Sequence, residues 1–355
     1  MSLLERQSPG VAMTPDHIRT RKLPLLVNLA VAAAALALAA VVVLVPGIGG
    51  RVLIVVLGVA FYLVGLFAAA TRVEGRRSAR NRIWKTLIYS ACILAILPLA
   101  SVVWTLVSKG VVRLDGNFFG TSMNNIGARD PNGGAYHAIV GTLLMAFVTA
   151  VISVPIAIAT AIYLVEYGRG KKLAKIVSFM VDVLTGVPSI VAALFVYALW
   201  VTTFGLQRVA FAVSLALVLL MIPVVVRSTE EMLRLVPRDI REASYALGVP
   251  HWKTIMRVVL PTSFSGIMTG IFLGLARVMG ETAPLLILGP YASAINNNLF
   301  SGNMAALPTM INQDRNQALD PALDRVWAAA LTLIILVMVL SLLGRVVARF
   351  GSVKK

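Results

Sequence analysis

Eight stretches of this chain are apolar for long enough to cross a bilayer: 27–45, 52–70, 83–107, 138–165, 176–204, 209–226, 265–288 and 326–347. No other feature restricts the fold as much. A spanning helix needs roughly 20 mainly apolar residues. In lipid, every backbone N–H and C=O must find its partner within the protein, so runs of this length must be helices. A membrane β-barrel would show short alternating segments instead. The chain is 59% hydrophobic and 13% charged, against about 25% charged in a soluble domain. The expected fold is an all-α polytopic membrane protein.

Charge orients the spans. The net charge of +17 would suit a polyanion partner, but the basic residues cluster in alternate loops. That is the positive-inside pattern, and it argues against nucleic acid. Arg72, Arg76, Arg77, Arg80, Arg82 and Lys85 follow the second span, opposed only by Glu74. Arg169, Lys171, Lys172 and Lys175 follow the fourth, and Arg345, Arg349, Lys354 and Lys355 close the chain. With eight spans and both termini cytoplasmic, 24 of the 32 basic residues fall inside, seven outside, and Arg277 within a span.

This sets the expected organisation: a cytoplasmic tail 1–22, an N-terminal hairpin 23–70 turning at Pro46-Gly-Ile-Gly-Gly50, a basic linker 71–82, and a core 83–350. Pro98 is expected to interrupt the third span. Polar loops 108–134 and 289–325 lie outside, and 228–263 lies inside. No Ala-x-Ala site follows the tail convincingly, so no cleaved signal peptide is expected. Cys92 is the single cysteine, which allows no intrachain disulfide and no metal site. His17, His137 and His251 read as isolated loop residues, so no metal is expected. No internal repeat is evident, which takes support from an inverted-repeat transporter.

Two opposite charges, Arg277 and Glu281, stand one helical turn apart in the seventh span. A charge at mid-bilayer costs about 2.5–3.5 kcal/mol on insertion scales, so such residues mark polar routes. Glu281 would sit about 6 Å beyond Arg277 along the axis. Gly266, Gly270 and Gly274 share their face as a small-residue ridge of the kind that lets helices approach closely. Pro284 frees a backbone carbonyl one turn on. The plain reading is an ion pair that locks helices together. The functional one is a site where the planar guanidinium meets an oxyanion, held by Glu281 when no anion is present.

The inside segment carries a motif. Glu242-Ala-Ser-Tyr-Ala-Leu-Gly248, nine residues, then Val258-Val-Leu-Pro261 resembles the EAA loop of ABC-importer permeases, whose pattern is Glu-Ala-Ala, three residues, Gly, nine residues, Ile-x-Leu-Pro. Ser244 and Val258 are mild departures. Helix, break at Gly248, second helix, then Pro261 opening a span is the expected local structure. Arg277-Val-Met-Gly-Glu-Thr-Ala-Pro284 resembles the Arg-x-x-Gly-Glu-Thr-Ala-Pro run of phosphate permeases of the PstA type. Thr185-Gly-Val-Pro-Ser-Ile-Val191 and Tyr163-Leu-Val-Glu-Tyr-Gly168 are similar to two further runs of that family. The resemblance covers about residues 83–350; the first two spans depart from it.

The resemblance implies a type I ABC-importer permease core of six spans plus two extra N-terminal ones, in the cytoplasmic membrane of a prokaryote. It implies substrate-pathway roles for Arg277, Glu281, Thr282 and Pro284. It implies coupling to an ATPase through Glu242, Ala243, Ser244, Gly248, Leu260 and Pro261. Thr185, Pro188 and Ser189 would shape the pathway, since a Gly-Pro break within a span must be shielded by protein. Glu166 and Asp182 read as interfacial charges or caps. A phosphate-binding P-loop, Gly-x4-Gly-Lys-Ser/Thr, does not occur. The chain is therefore expected to be no enzyme and to bind no cofactor itself. ATP and Mg would sit on a partner ATP-binding subunit dimer. A second permease of the PstC type, an extracytoplasmic phosphate-binding protein and membrane lipid complete the expected partners. A permease for another oxyanion, or an ion-coupled secondary anion transporter, stays open as an alternative.

Overall fold

The computed structural model describes residues 24–44, 51–317 and 319–351. The expected tail 1–22, the turn at 46–50, and Lys354 and Lys355 lie outside them. Among the described residues all regular structure is helical. Among those residues seven helices are long and apolar enough to cross a membrane, and one bent pair, taken as a single span, brings the number to eight. The chain divides into two compact units, Met1–Val102 and Val103–Lys355.

In the first unit, α1 (Leu25–Leu44) and α2 (Arg51–Glu74) pack side by side. Small residues permit the approach: a Cβ on Gly65 would lie 2.8 Å from Val31, and one on Gly58 3.2 Å from Leu36. Tyr62 donates its hydroxyl hydrogen to Asn28 Oδ1 at 2.9 Å, satisfying two polar groups within an apolar pair. α3 (Arg76–Gly110) follows after Gly75 alone, at φ +84°. The linker expected at 71–82 is thus helical on both sides of a one-residue αL break, the conformation glycine supplies at helix ends. Pro98 sits inside α3 without ending it. The expected interruption does not occur, because losing one backbone bond does not break a 35-residue apolar helix.

The second unit continues through a 3₁₀ turn, Val111–Arg113, into α4 (Gly116–Gly120). Asp115 caps α4 by accepting from the Phe118 N–H at 2.7 Å. That bond holds the Asp115 carboxyl below the ordinary carboxylate value of 3.8. α5 (Tyr136–Ile162) runs into a π turn, Tyr163–Tyr167. The expected fifth span is two pieces, α6 (Lys172–Gly186) and α7 (Ser189–Tyr197) with a π turn Ala198–Thr203, bent by 105° at Val187-Pro188. α8 (Ala210–Leu235) is two-thirds buried and touches α5, α6, α7, α11 and α12. It continues well past residue 226, so the connection expected at 228–263 begins as helix. α9 (Arg238–Ala246), α10 (His251–Thr254), a π turn Ile255–Val259, α11 (Leu260–Met279), α12 (Ala283–Leu288), α13 (Leu307–Arg315) and α14 (Asp320–Gly351) complete it.

Opposite the α9 end, α4, α13 and the start of α14 enclose a small core around Phe118, Leu307 and Met310. Arg325 is fully buried there. It donates to Asp314 Oδ2 at 3.0 Å and to the Asp130 carbonyl at 2.7 Å. Burial pushes the Asp314 carboxyl up against the pull of Arg325. His137 is not an isolated loop residue. It is buried in the first turn of α5, 3.2 Å from the Tyr291 hydroxyl, a pairing hidden from local patterning because the two lie 154 positions apart.

Candidate functional site

The seventh span departs from expectation where its charges lie. α11 ends at Met279, Gly280 caps it, and α12 starts only at Ala283. The cause is local. Pro284 stands in the first turn of α12, where it has no N–H to return to Gly280 and its ring excludes a continuing helix. Arg277 occupies the last turn of α11 and is exposed, whereas Glu281 lies past the break and is half-buried. The i,i+4 ion pair expected from a continuous helix is therefore not formed. Arg277 makes no hydrogen bond or ion pair with any described residue. Thr282 is half-buried beside the break and Pro284 is buried.

The glycine ridge does what its spacing implies. A Cβ on Gly270 would fall 1.9 Å from Ser228 Oγ, one on Gly266 2.0 Å from Met232 Sδ, and one on Gly274 3.2 Å from Val225 Cγ2. α11 thus lies against α8 at close range along three turns. Its far side meets α14, where a Cβ on Gly344 would lie 2.4 Å from the Phe272 ring.

The segment bearing the Glu-Ala-Ser motif folds as its residues imply. α9 ends at Ala246, Gly248 takes φ +75°, and the chain turns into α10. Ser244 Oγ lies 2.9 Å from Thr254 Oγ1, which ties the two short helices together. Pro261 sits in the first turn of α11 after Leu260, past the π turn. Glu242 and Ala243 are exposed, as are Leu247 and Trp252 nearby. This end therefore presents a mixed polar and apolar surface.

Arg241, next to Glu242, points the other way. Its guanidinium bonds Glu166 Oε1 at 2.8 Å and the carbonyls of Leu233 and Val236 at 2.8 and 2.6 Å. It so satisfies the Val236 carbonyl left over at the end of α8 and gives Leu233, which already accepts from the Val236 N–H, a second donor. The π turn widens the end of α5 around Glu166. His251 lies 4.0 Å from the other Glu166 oxygen and edge-on to Tyr167 at 4.8 Å. A cleft of about 180 Å³ opens here between Arg169, Arg238 and Glu242.

Thr185 donates to the Val181 carbonyl at 2.9 Å. Pro188 stands at the α6–α7 break, and Ser189 opens α7. Asp182, one turn before Thr185, receives Arg227 of α8 at 2.5 Å. Arg227 also reaches Glu230 at 2.5 Å and Ser178 Oγ at 2.9 Å, and Arg234 reaches Glu230 at 2.5 Å. Apolar length alone assigns neither Arg227 nor Arg241 a partner. The i, i+3, i+7 spacing of Arg227, Glu230 and Arg234 was the available signal that the helix continued past the apolar run. Among the described residues no cluster of three or more His, Cys, Asp or Glu could hold a metal ion.

Residues 153–350 match the family of binding-protein-dependent transport system inner membrane components. The chain is 48% identical over 281 residues to the phosphate transport system permease protein PstA 1 of Mycobacterium tuberculosis, covering 79% of this chain and 92% of that protein. It is 49% identical over 272 residues to the Mycobacterium leprae PstA permease, covering 76% and 88%. For the Pasteurella multocida PstA permease the figures are 36% over 274 residues, 76% and 95%. A chain of the inward-facing MetNI methionine ABC transporter superposes at TM-score 0.49 and 18% identity, covering 62% of this chain and 95% of that one. The chain belongs to the PstA family of phosphate transport system permeases, within the inner membrane components of binding-protein-dependent transport systems.

Proposed function

We propose that this chain is the membrane-spanning subunit through which an ATP-driven importer carries inorganic phosphate across the cytoplasmic membrane, with both termini on the cytoplasmic side. The observation that carries the reading is Arg277: a guanidinium at a helix break in a spanning segment, with no partner among the described residues. A charge in that position is costly unless something polar meets it. Its planar fork suits two oxygens of a tetrahedral anion. Glu281, on the other side of the break, does not clasp Arg277. It balances the charge at longer range and keeps the anion from being trapped. Thr282 and Pro284 fix the break, and Thr185, Pro188 and Ser189 fix the second break in α6–α7.

The exposed face of α9, with Glu242 and Ala243, docks on an ATP-binding subunit of a dimer that holds ATP and Mg. Ser244, Gly248, Leu260 and Pro261 give the segment its bent shape and join it to α11. A second permease of the PstC type supplies the other half of the pathway, and an external phosphate-binding protein delivers the anion. The N-terminal hairpin 23–70, which lies within the first compact unit, braces the complex in lipid.

The test is reconstitution of the complete complex in proteoliposomes, followed by phosphate uptake and phosphate-stimulated ATP hydrolysis. Arg277→Ala should abolish uptake at normal assembly. Normal uptake by Arg277→Ala would overturn the reading. Competition of uptake by sulfate or molybdate would instead favour the broader oxyanion permease.

A further inference from the structure

α11 is held on two sides, by α8 along the glycine ridge and by α14 at Phe272. These contacts leave two open arcs around the helix, and the arcs differ in chemistry. Measured about the axis from Gly270, Ile267, Ile271, Phe264 and Met268 fall about 60–160° to one side. They line an apolar groove of about 360 Å³ with Ile158 of α5. On the other side lie Leu273, Thr262, Thr269 and Ser265, about 60–140° away, with Arg277 about 20° away on that same side. Thr262, Thr269, Leu273 and Arg277 are exposed and Ser265 is half-buried. A spanning helix does not turn an unpaired guanidinium to acyl chains, which offer it no hydrogen bond, and the hydroxyls continue the arc on which Arg277 stands.

Resting on the reading of Arg277 as the anion-facing charge, we infer that the Thr262–Ser265–Thr269 arc of α11 is the water-lined exit by which a protonated tetrahedral oxyanion passes from Arg277 to the cytoplasm. Thr269 lies about 12 Å below Arg277 along the axis and Thr262 about 10 Å below that. The arc ends beside Pro261, where the coupling segment joins the span. Thr262 donates to the Val258 carbonyl at 2.6 Å and Thr269 to the Ser265 carbonyl at 2.9 Å. Each oxygen keeps a lone pair to accept from a P–OH group, while the Ser265 hydroxyl, with no partner among the described residues, can donate to P–O⁻. Leu273, 63% exposed, is the apolar interruption between Arg277 and Thr269. Neutral hydroxyls guide an anion without holding it, which a second arginine would not do.

The test is thiol labelling of the whole complex in nanodiscs, after Cys92→Ser removes the single native cysteine. Thr262→Cys and Thr269→Cys are compared with Phe264→Cys and Met268→Cys, using a sulfonate-bearing methanethiosulfonate that does not enter lipid. A thiol reacts as thiolate, which apolar surroundings suppress, so the first two should label at least about tenfold faster than the second two. Phosphate present in excess should slow them. Equal rates on the two arcs, faster labelling at 264 and 268, or four inert thiols would overturn the inference. Labelling does not depend on transport, so it fails separately from the Arg277→Ala uptake test.

Discussion

Arg241 on α9 and Glu166 in the π turn that ends α5 form a buried ion pair at 2.8 Å, which ties the motif-bearing segment to the spans. Both side chains are at most 8% exposed. Glu166→Ala would strand the guanidinium, at a cost of about 3–5 kcal/mol. Glu166→Ala with Arg241→Met should recover part of that loss. Thermal unfolding of the purified complex measures it, and strict additivity of the two substitutions would show that the pair is not coupled.

The glycine ridge orders three substitutions. At Gly270 a new methyl meets both Oγ and Cβ of Ser228, at 1.9 and 2.6 Å, and the short serine has nowhere to move. At Gly266 it meets the flexible thioether of Met232. At Gly274 the nearest atom is 3.2 Å away. Overpacking costs about 1–3 kcal/mol, so Gly270→Ala should destabilise most and Gly274→Ala least. Ser228→Gly should rescue Gly270→Ala, as read by unfolding temperature. A rescue confined to Gly274→Ala would contradict the packing described.

Gly248 carries φ +75° between α9 and α10. Gly248→Ala forces a side chain into the left-handed region, which costs about 1–2 kcal/mol. A Cβ there meets no neighbour within 4 Å, so the cost is conformational rather than steric. Gly248→Asn, which tolerates that conformation better, should lie between the two in ATP hydrolysis stimulated by phosphate. If Ala and Asn behave alike, the backbone explanation fails.

Acid should loosen α4. The Asp115 carboxyl is held low chiefly by the Phe118 N–H, and secondarily by Arg113. The depressed folded value means that this contribution is present above the unfolded value of 3.8 and is lost as pH falls through the folded one. Hydrogen exchange at the Phe118 amide should therefore accelerate below that range relative to its intrinsic rate. Asp115→Asn, which caps without titrating, should remove this dependence.

Much of this was legible beforehand because lipid leaves a chain few options. Span positions came from apolar length, and the close approach of α8 and α11 from glycines four apart. The turn at Gly248 came from the residue type best suited to a left-handed backbone. What escaped was set by partners distant in sequence. Glu166 meets Arg241 across 75 positions and His137 meets Tyr291 across 154. Arg277 and Glu281 misled differently. Their spacing suits a helix, but Gly280 and Pro284 between and beyond them end it.

The Arg325–Asp314 pair bears on how the protein is made. Arg325 stands near the start of the last span and draws in both Asp314 and the Asp130 carbonyl, 195 residues earlier. A growing chain delivers its N-terminal parts first, so the earlier loop and α13 must wait for α14 before their acceptors are met. Closure of this cap is thus a late event in biogenesis. A polypeptide stalled or clipped before Arg325 would leave the Asp314 carboxylate uncompensated at an unfinished core.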